Sequence, residues 1–254
     1  MSADFVVIIP ARYASKRLPG KPLLKIGSKT LIQHVYEAAQ KSRANNVYVA
    51  TDDERIVKVV TGFNGNALLT SPGLVSGTDR IHEAATLLNF SDKQLIVNVQ
   101  GDEYGLDPNY INNAAESLAT NHESSMATLC QNIYSADELK NENIVKVVTD
   151  HSGNALYFSR SVIPWDNIDN INLLTNDEVL GYKHIGVYAY RTNFLKIFTC
   201  LNTPKIERKE SLEQLRALYY GHKIFVKLVD KNNGIEINTK SDLEKARKFY
   251  EKSA

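Results

Sequence analysis

The chain opens on an unbroken apolar run, Phe5-Val6-Val7-Ile8-Ile9, which stops at Pro10. Such a run, with no polar alternation, reads as a strand buried on both faces, the kind found inside parallel sheets. Val47-Tyr48-Val49-Ala50-Thr51, ending at Asp52-Asp53, and Gln94 to Gln100, ending at Gly101-Asp102-Glu103, read as further strands. Between the first pair, Leu31, Ile32, Val35, Ala38 and Ala39 recur on one helical face. Segments 53–60, 78–88 and 109–119 supply further helices, with Ser76-Gly77-Thr78 a turn and cap before the second. Alternation of this kind requires right-handed crossovers and a mostly parallel sheet flanked by helices, a Rossmann-like α/β fold.

After about residue 125 the pattern changes. Met126 to Leu129, Val145 to Val148, Ala155 to Ser159 and His184 to Tyr190 are strand-like, and they predict either an antiparallel extension of the sheet or a strand-rich lobe over the substrate. The Asn- and Asp-rich stretch from Asp166 to Glu178 reads as a long surface loop. Glu207 to Tyr220 is expected to be one amphipathic helix, Ile224 to Val229 a strand, and Ser241 to Tyr250 a closing helix. There is no internal repeat. The reading is of a single domain over 1–254, an α/β half to residue 125 followed by a strand-rich half.

Composition narrows the partners. Among 254 residues, 30 Lys and Arg face 29 Asp and Glu, a net charge of +1, so nothing points to a nucleic-acid partner. No apolar stretch approaches the roughly 20 residues of a membrane span, and no basic segment with an apolar signal helix precedes the first strand, so a cytoplasmic protein is expected. Cys130 and Cys200 lie far apart, with no spacing for a disulfide framework or a zinc site; both are expected to be buried thiols.

Candidate chemistry is concentrated where the strands end. Directly after the first strand, Arg12, Lys16, Arg17 and Lys21 fall within ten residues, punctuated by Pro19-Gly20. In open α/β sheets ligands bind outside the carboxyl ends of the strands, and guanidinium and ammonium groups suit phosphate oxygens, so a polyphosphate substrate is the first expectation. A solvated basic turn is the plainer alternative. Asp102, at the end of another buried strand, is placed to hold the divalent ion of a nucleotide, since magnesium takes one or two protein carboxylates and completes its shell with water and phosphate oxygens. Taken alone, Gly101-Asp102 would be a turn. Arg160, after Tyr157-Phe158-Ser159, suits either a carboxylate ligand or a surface acid. A lone histidine such as His184, before an apolar strand, is more often a hydrogen-bonded structural residue than a catalyst.

Several long segments, in order, resemble one family. They are Pro10 to Pro22, Asn98-Val99-Gln100-Gly101-Asp102-Glu103, Ala155 to Arg160, Ile163-Pro164-Trp165, Lys183 to Tyr188 and Leu212-Glu213-Gln214-Leu215-Arg216. Together they are similar to the 3-deoxy-manno-octulosonate cytidylyltransferases, the CMP-Kdo synthetases. The resemblance implies a nucleotidyltransferase-type fold, usually dimeric, that activates an eight-carbon sugar acid with CTP and Mg2+ for lipopolysaccharide assembly, residues 1–125 forming the nucleotide-binding half and 126–254 the sugar-acid-binding and dimerisation half. It implies that Arg12 and Lys21 hold the CTP phosphates with help from Arg17, that Ala11 lies in the loop facing cytosine, and that Ser76 and Arg80 belong to a second nucleotide-side loop. It further implies that Asp102 binds magnesium and that Gln100, Arg160, His184, Tyr188, Glu213 and Gln214 line the sugar-acid pocket. Arg160 then has a reason to be there, because the sugar carries a carboxylate.

Two departures stand out. Gly73-Leu74-Val75 occupies the place of an Asp-His-Gln found in many relatives, and Asn238-Thr239-Lys240-Ser241-Asp242 that of Asp-Thr-Pro-Glu-Asp. The second replaces a metal-binding aspartate by Asn238, which offers a carbonyl oxygen without the charge. Glu236, two residues earlier, shares its face if this is a strand and is the candidate substitute. The Thr51 to Arg55 and Ser76 to Arg80 segments look closer to a subgroup that activates the 8-amino analogue of Kdo. Other acidic sugars, and a nucleotide-binding homologue with weakened turnover, are the remaining alternatives.

Overall fold

The apolar runs become the middle of one large sheet. The computed structural model describes residues 3–15, 17–165, 179–230 and 234–253, so Lys16 and the Asp166 to Glu178 loop of the sequence reading lie outside the described residues. The first half contributes β1 (Phe5–Ala11), a small hairpin of β2 (Lys25–Ile26) and β3 (Lys29–Thr30), α1 (Leu31–Gln40), β4 (Val47–Thr51) and α2 (Glu54–Gly62). It continues with β5 (Asn66–Leu69), α3 (Gly77–Leu87), β6 (Leu95–Asn98), β7 (Glu103–Tyr104) and α4 (Pro108–Thr120). The second half adds β8 (Met126–Ile133), α5 (Ala136–Lys140), β9 (Lys146–Thr149), β10 (Ala155–Ser159) and β11 (Gly181–Arg191). It closes with α6 (Thr192–Cys200), α7 (Lys205–Glu210), α8 (Gln214–Tyr219), β12 (Ile224–Leu228), β13 (Ile235–Glu236) and α9 (Lys240–Ser253).

Along the main path the order is β10-β9-β11-β6-β1-β4-β5, with β8 pairing β11 and β12. The β6-β1-β4-β5 stretch is parallel throughout. The second-half strands extend this same sheet: β11 lies antiparallel to β6 near its end and to β9 near its start, and runs antiparallel to β8 along its length. Of the two arrangements open to the sequence, the sheet extension is the one formed. Residues of β1 alternate between two cores: Val7 and Ile9 join the cluster containing Leu31, Val35 and Ile111, while Val6 and Ile8 join that of Ile81, Ala84 and Phe198. Burial on both faces is why the run shows no alternation.

One expected element is broken. The segment from Glu207 to Tyr220 forms two short helices, α7 and α8, separated at Ser211, which adopts φ 55°. The turn lets Glu210 reach back to Ser159 Oγ at 2.7 Å and to the Arg160 backbone N–H at 3.0 Å, contacts a straight helix would forfeit. Cys130 is buried, and burial pushes its thiol up to about 12, but Cys200, at the end of α6, is exposed, contrary to the expectation for both. Among the described residues no helix is long and apolar enough to cross a membrane.

Candidate active site

The cationic loop after β1 folds around the carbonyl of Tyr13, which accepts hydrogen bonds from the Ser15 and Gly20 backbone N–H groups at 2.9 and 3.1 Å. Gly20 sits at φ 68°, a left-handed conformation that a side chain disfavours, with the Tyr13 ring 3.2 Å from where a Cβ would be. On the other side, the Arg55 guanidinium carbon lies 3.4 Å from the centre of that ring. Leu18 is buried and anchors the loop from below. The chain leaves this turn in a short 3-10 helix, Lys21–Leu23, that starts at Lys21.

The loop and the corner after β6 line one cleft of about 460 Å3, with Ala11, Arg12, Arg17 and Lys21 on one side and Gln100, Gly101, Asp102 and Asn238 on the other. Gly101 permits the approach, because a Cβ there would stand 3.1 Å from the Pro10 carbonyl oxygen. Lys21 Nζ is 2.5 Å from Asp102 Oδ2 and donates to the Ile237 carbonyl at 2.9 Å. Arg17 donates to Asn238 Oδ1 at 2.8 Å. Arg12, Arg17 and Lys21 thus outnumber the one Asp102 carboxylate in the lining of the cleft, a net positive charge that suits a polyanionic ligand.

The pairing of β13 with β7 brings the C-terminal segment here, setting Glu236 opposite Glu103. Glu236 accepts a hydrogen bond from Asn238 Nδ2 at 2.5 Å. Burial, reinforced by the Glu236 and Asp102 charges, pushes the Glu103 carboxyl up to about 8, against the opposing pull of Lys183 and Lys21. Glu103, Glu236 and Lys183 border a second, smaller cavity of about 140 Å3 behind the ribbon. Asp102 and Asn238 offer a carboxylate and an amide oxygen to the cleft, a hard-oxygen set that fits a divalent ion completing its shell with phosphate oxygens and water. Among the described residues no group of three His, Cys, Asp or Glu side chains forms a closed metal cage.

The other expected site residues fall into separate groups. Ser76 and Asp79 form a capping box at the start of α3. Arg80 is buried, donating to Asp52 Oδ2 at 2.8 Å and to Thr70 Oγ1 at 2.5 Å, so its guanidinium braces the ends of β4 and β5. Glu213 accepts from Thr78 Oγ1 at 2.6 Å through Oε2, whereas its Oε1 finds no hydrogen-bond donor among the described residues. Burial raises the Glu213 carboxyl above its ordinary range, a rise moderated by Thr78, Ser76 and Arg216. Its Oε1 lies 3.7 Å from the Arg216 guanidinium, an ion-pair distance that leaves it able to accept from a ligand hydroxyl. Gln214 is buried beside it.

His184 donates or accepts at Thr128 Oγ1 (3.0 Å), and its ring meets Phe158 edge-on and tilts against Tyr188. Burial pulls His184 down to about 3 and raises Tyr188 well above the usual tyrosine range, so both are neutral near pH 7. Arg160 donates to the carbonyls of Glu210 (3.0 Å) and Glu142 (3.1 Å), while its own carbonyl accepts from the buried Lys146 ammonium at 2.5 Å. The structure therefore gathers Ala11, Arg12, Arg17, Lys21, Gln100, Asp102 and Asn238 in one cleft, and sets Ser76 with Glu213, His184 with Tyr188, and Arg160 with Glu210 outside its lining. Asn98, Thr78 and Tyr190, to which the sequence reading gave no role, supply the polar contacts between these groups; the one sequence signal was that Asn98 and Thr78 are polar beside apolar runs.

The sequence profile of the cytidylyltransferase family matches residues 6–224. A 3-deoxy-manno-octulosonate cytidylyltransferase of Hahella chejuensis is 45% identical to the chain, with 100% of both chains covered. Another, from Marinobacter nauticus, is 46% identical over 98% of each. Among solved structures, a CMP:2-keto-3-deoxy-manno-octonic acid synthetase complexed with CTP superimposes with a TM-score of 0.90 at 38% identity, covering 99% of this chain and 100% of that one.

Proposed function

The chain belongs to the 3-deoxy-manno-octulosonate cytidylyltransferase family, and from that premise we propose that it couples CTP to a Kdo-type eight-carbon sugar acid, giving the CMP-sugar and pyrophosphate for lipopolysaccharide assembly. The observation that carries this reading is the convergence of Lys21, Arg17 and Asp102 on one cleft at the ends of β1 and β6. The anomeric hydroxyl of the sugar acid attacks the α-phosphorus in line; a new oxygen–phosphorus bond forms, the α–β bridge breaks, and the hydroxyl proton is released. Positioning and charge neutralisation do most of the work in such transfers. No covalent nucleophile is required.

Lys21 and Arg12 would bind the β- and γ-phosphates and neutralise charge on the departing pyrophosphate, with Arg17 holding the same tail. Since Lys21 Nζ is bonded to Asp102, triphosphate entry exchanges that carboxylate for phosphate oxygens and frees Asp102. Asp102 and Asn238 are then the residues to hold Mg2+, with Glu236 as the nearby carboxylate that offsets the charge missing at 238. Bound there, the ion would supply Lewis-acid polarisation of the phosphate. Gln100, Glu213 and Gln214 would bind sugar hydroxyls, Arg160 would exchange a backbone carbonyl for the sugar carboxylate, and His184 and Tyr188 would shape the pocket wall. Ser76 and Arg80 would support the nucleotide side, the latter by bracing Asp52 and Thr70. A homodimer in the cytoplasm completes the proposal; the edge strand β10, whose Leu156 is largely exposed, offers an apolar margin for a second copy.

Kdo is the first substrate and its 8-amino analogue the second, the latter favoured by the resemblance of the Thr51 to Arg55 and Ser76 to Arg80 segments to the subgroup that activates it. A pyrophosphate-release assay pairing CTP or UTP with either sugar, with products identified by mass spectrometry, tests both choices. Release with CTP and one of these acids supports the proposal. No release with either, or equal use of UTP, contradicts it.

A further inference from the structure

A row of buried polar side chains connects Gln100, in the cleft, with Glu213, and the activity set out above does not call on it. Gln100 Nε2 donates to Asn98 Oδ1 at 3.2 Å. The Asn98 side chain also meets the Tyr190 hydroxyl, and that hydroxyl in turn meets Thr78. Thr78 Oγ1 donates to Glu213 Oε2 at 2.6 Å. Asn98, Thr78 and Tyr190 are all at most 3% exposed.

With Glu213 ionised, the polarity of this row follows from that end. A threonine hydroxyl has a single proton and a carboxylate has none to give, so with Thr78 donating to Glu213, Thr78 can only accept from Tyr190. The Tyr190 proton is thereby committed, and its oxygen must accept from the Asn98 amide. Asn98 Oδ1 is then left turned toward Gln100, which must present Nε2 to it. The Gln100 carbonyl oxygen is consequently the face left for the cleft, an acceptor suited to a substrate hydroxyl.

We infer that Thr78, Tyr190 and Asn98 are positioning residues for the sugar acid: a buried directional hydrogen-bond row that holds the Glu213 carboxylate in place and orients the Gln100 amide so that both present acceptors to sugar hydroxyls. The inference rests on the functional reading above. Hydrogen-bonded polar groups are common in cores simply because unpaired ones are costly. What distinguishes the present row is that both of its ends are sugar-side residues, so breaking it should damage sugar recognition selectively.

The test uses the full-length protein with Thr78→Val, which keeps the shape and removes the hydroxyl, Thr78→Ser, which restores it, and Tyr190→Phe, which keeps the ring stacked on Tyr188. KM is measured for the sugar acid at saturating CTP and for CTP at saturating sugar, with thermal melts to verify folding. Thr78→Val and Tyr190→Phe are expected to raise the sugar-acid KM about tenfold, as loss of a buried hydrogen bond to a charged group does, leave the CTP KM within about twofold, and in Thr78→Ser return close to wild type. If Thr78→Val does not fold, Tyr190→Phe alone decides. An unchanged sugar KM, or equal increases in both constants, overturns the inference while the wild-type enzyme still makes CMP-sugar. A wild type that makes none overturns the functional reading and the inference together.

Discussion

Lys21 Nζ and Asp102 Oδ2 stand 2.5 Å apart although 81 positions separate them in sequence, and the same ammonium also binds the Ile237 carbonyl. One side chain thus ties together the loop after β1, the corner after β6 and the segment leading to α9. The pair is only 16% and 20% exposed, so its charges are felt strongly in the cleft. Lys21→Ala and Asp102→Asn are each expected to lower the rate of CMP-sugar formation by about a hundredfold or more, with the circular dichroism spectrum unchanged. Turnover within a few-fold of wild type in either would remove the role assigned to that residue.

Asn238 supplies an oxygen without charge beside Arg17 and Glu236. Asn238→Asp adds a negative charge where a divalent ion would sit, and the new carboxylate would face Glu236 across the distance now spanned by a hydrogen bond. Binding of the ion relieves that repulsion. The magnesium concentration giving half-maximal rate should therefore fall about three- to tenfold, in line with the stronger hold of carboxylates on this ion. An unchanged magnesium dependence would show that position 238 does not contribute to the ion's site.

His184 is expected to govern part of the acid limb of stability. Its folded value of about 3 lies below the ordinary value of 6.5, so between these limits the unfolded chain binds more protons than the native one. The sign follows: the stabilisation is complete above about pH 6.5 and is lost as pH falls toward 3. Urea unfolding from pH 4 to 7 should give a slope shallower in His184→Gln than in wild type by up to about 1.4 kcal/mol per pH unit. Parallel slopes would mean that the ring is accessible to protons in the native state.

Arg216 donates twice to Glu207, at 2.8 and 2.6 Å, with both side chains nearly buried and the guanidinium over the Phe198 ring. Removing one partner strands the other charge. Arg216→Met should cost about 3–5 kcal/mol in chemical denaturation, and Arg216→Met with Glu207→Leu should regain most of it. A double variant no more stable than the single would mean that packing, and not the stranded carboxylate, carries the loss.

The first half of the fold was legible because β1, β4 and β6 are almost wholly buried and the early helices show an apolar stripe, β4 at its actual bounds; β5, whose residues are exposed or half-buried, leaves no such run and was not legible. The cleft was legible for a related reason, since Arg12, Arg17, Lys21 and Asp102 lie where buried strands end. The division of the Glu207 to Tyr220 stretch was not, because the left-handed turn falls on Ser211 and not on glycine, and it is maintained by the long-range contacts of Glu210. The β7–β13 ribbon escaped notice because two-residue strands leave no periodicity. The partners of Arg80 and Arg160 were equally hidden: an arginine's sequence neighbours do not reveal that its fork is occupied by Asp52 or by backbone carbonyls.

The proposed activity requires the early cationic loop and the β6 corner to grip one triphosphate together. Calorimetric titration of CTP into the wild-type protein and Lys21→Ala in magnesium buffer tests this directly. Saturable binding at one site per chain is expected for the wild type, weakened about tenfold or more by loss of the ammonium. Equal CTP affinity in the two proteins would contradict the central claim.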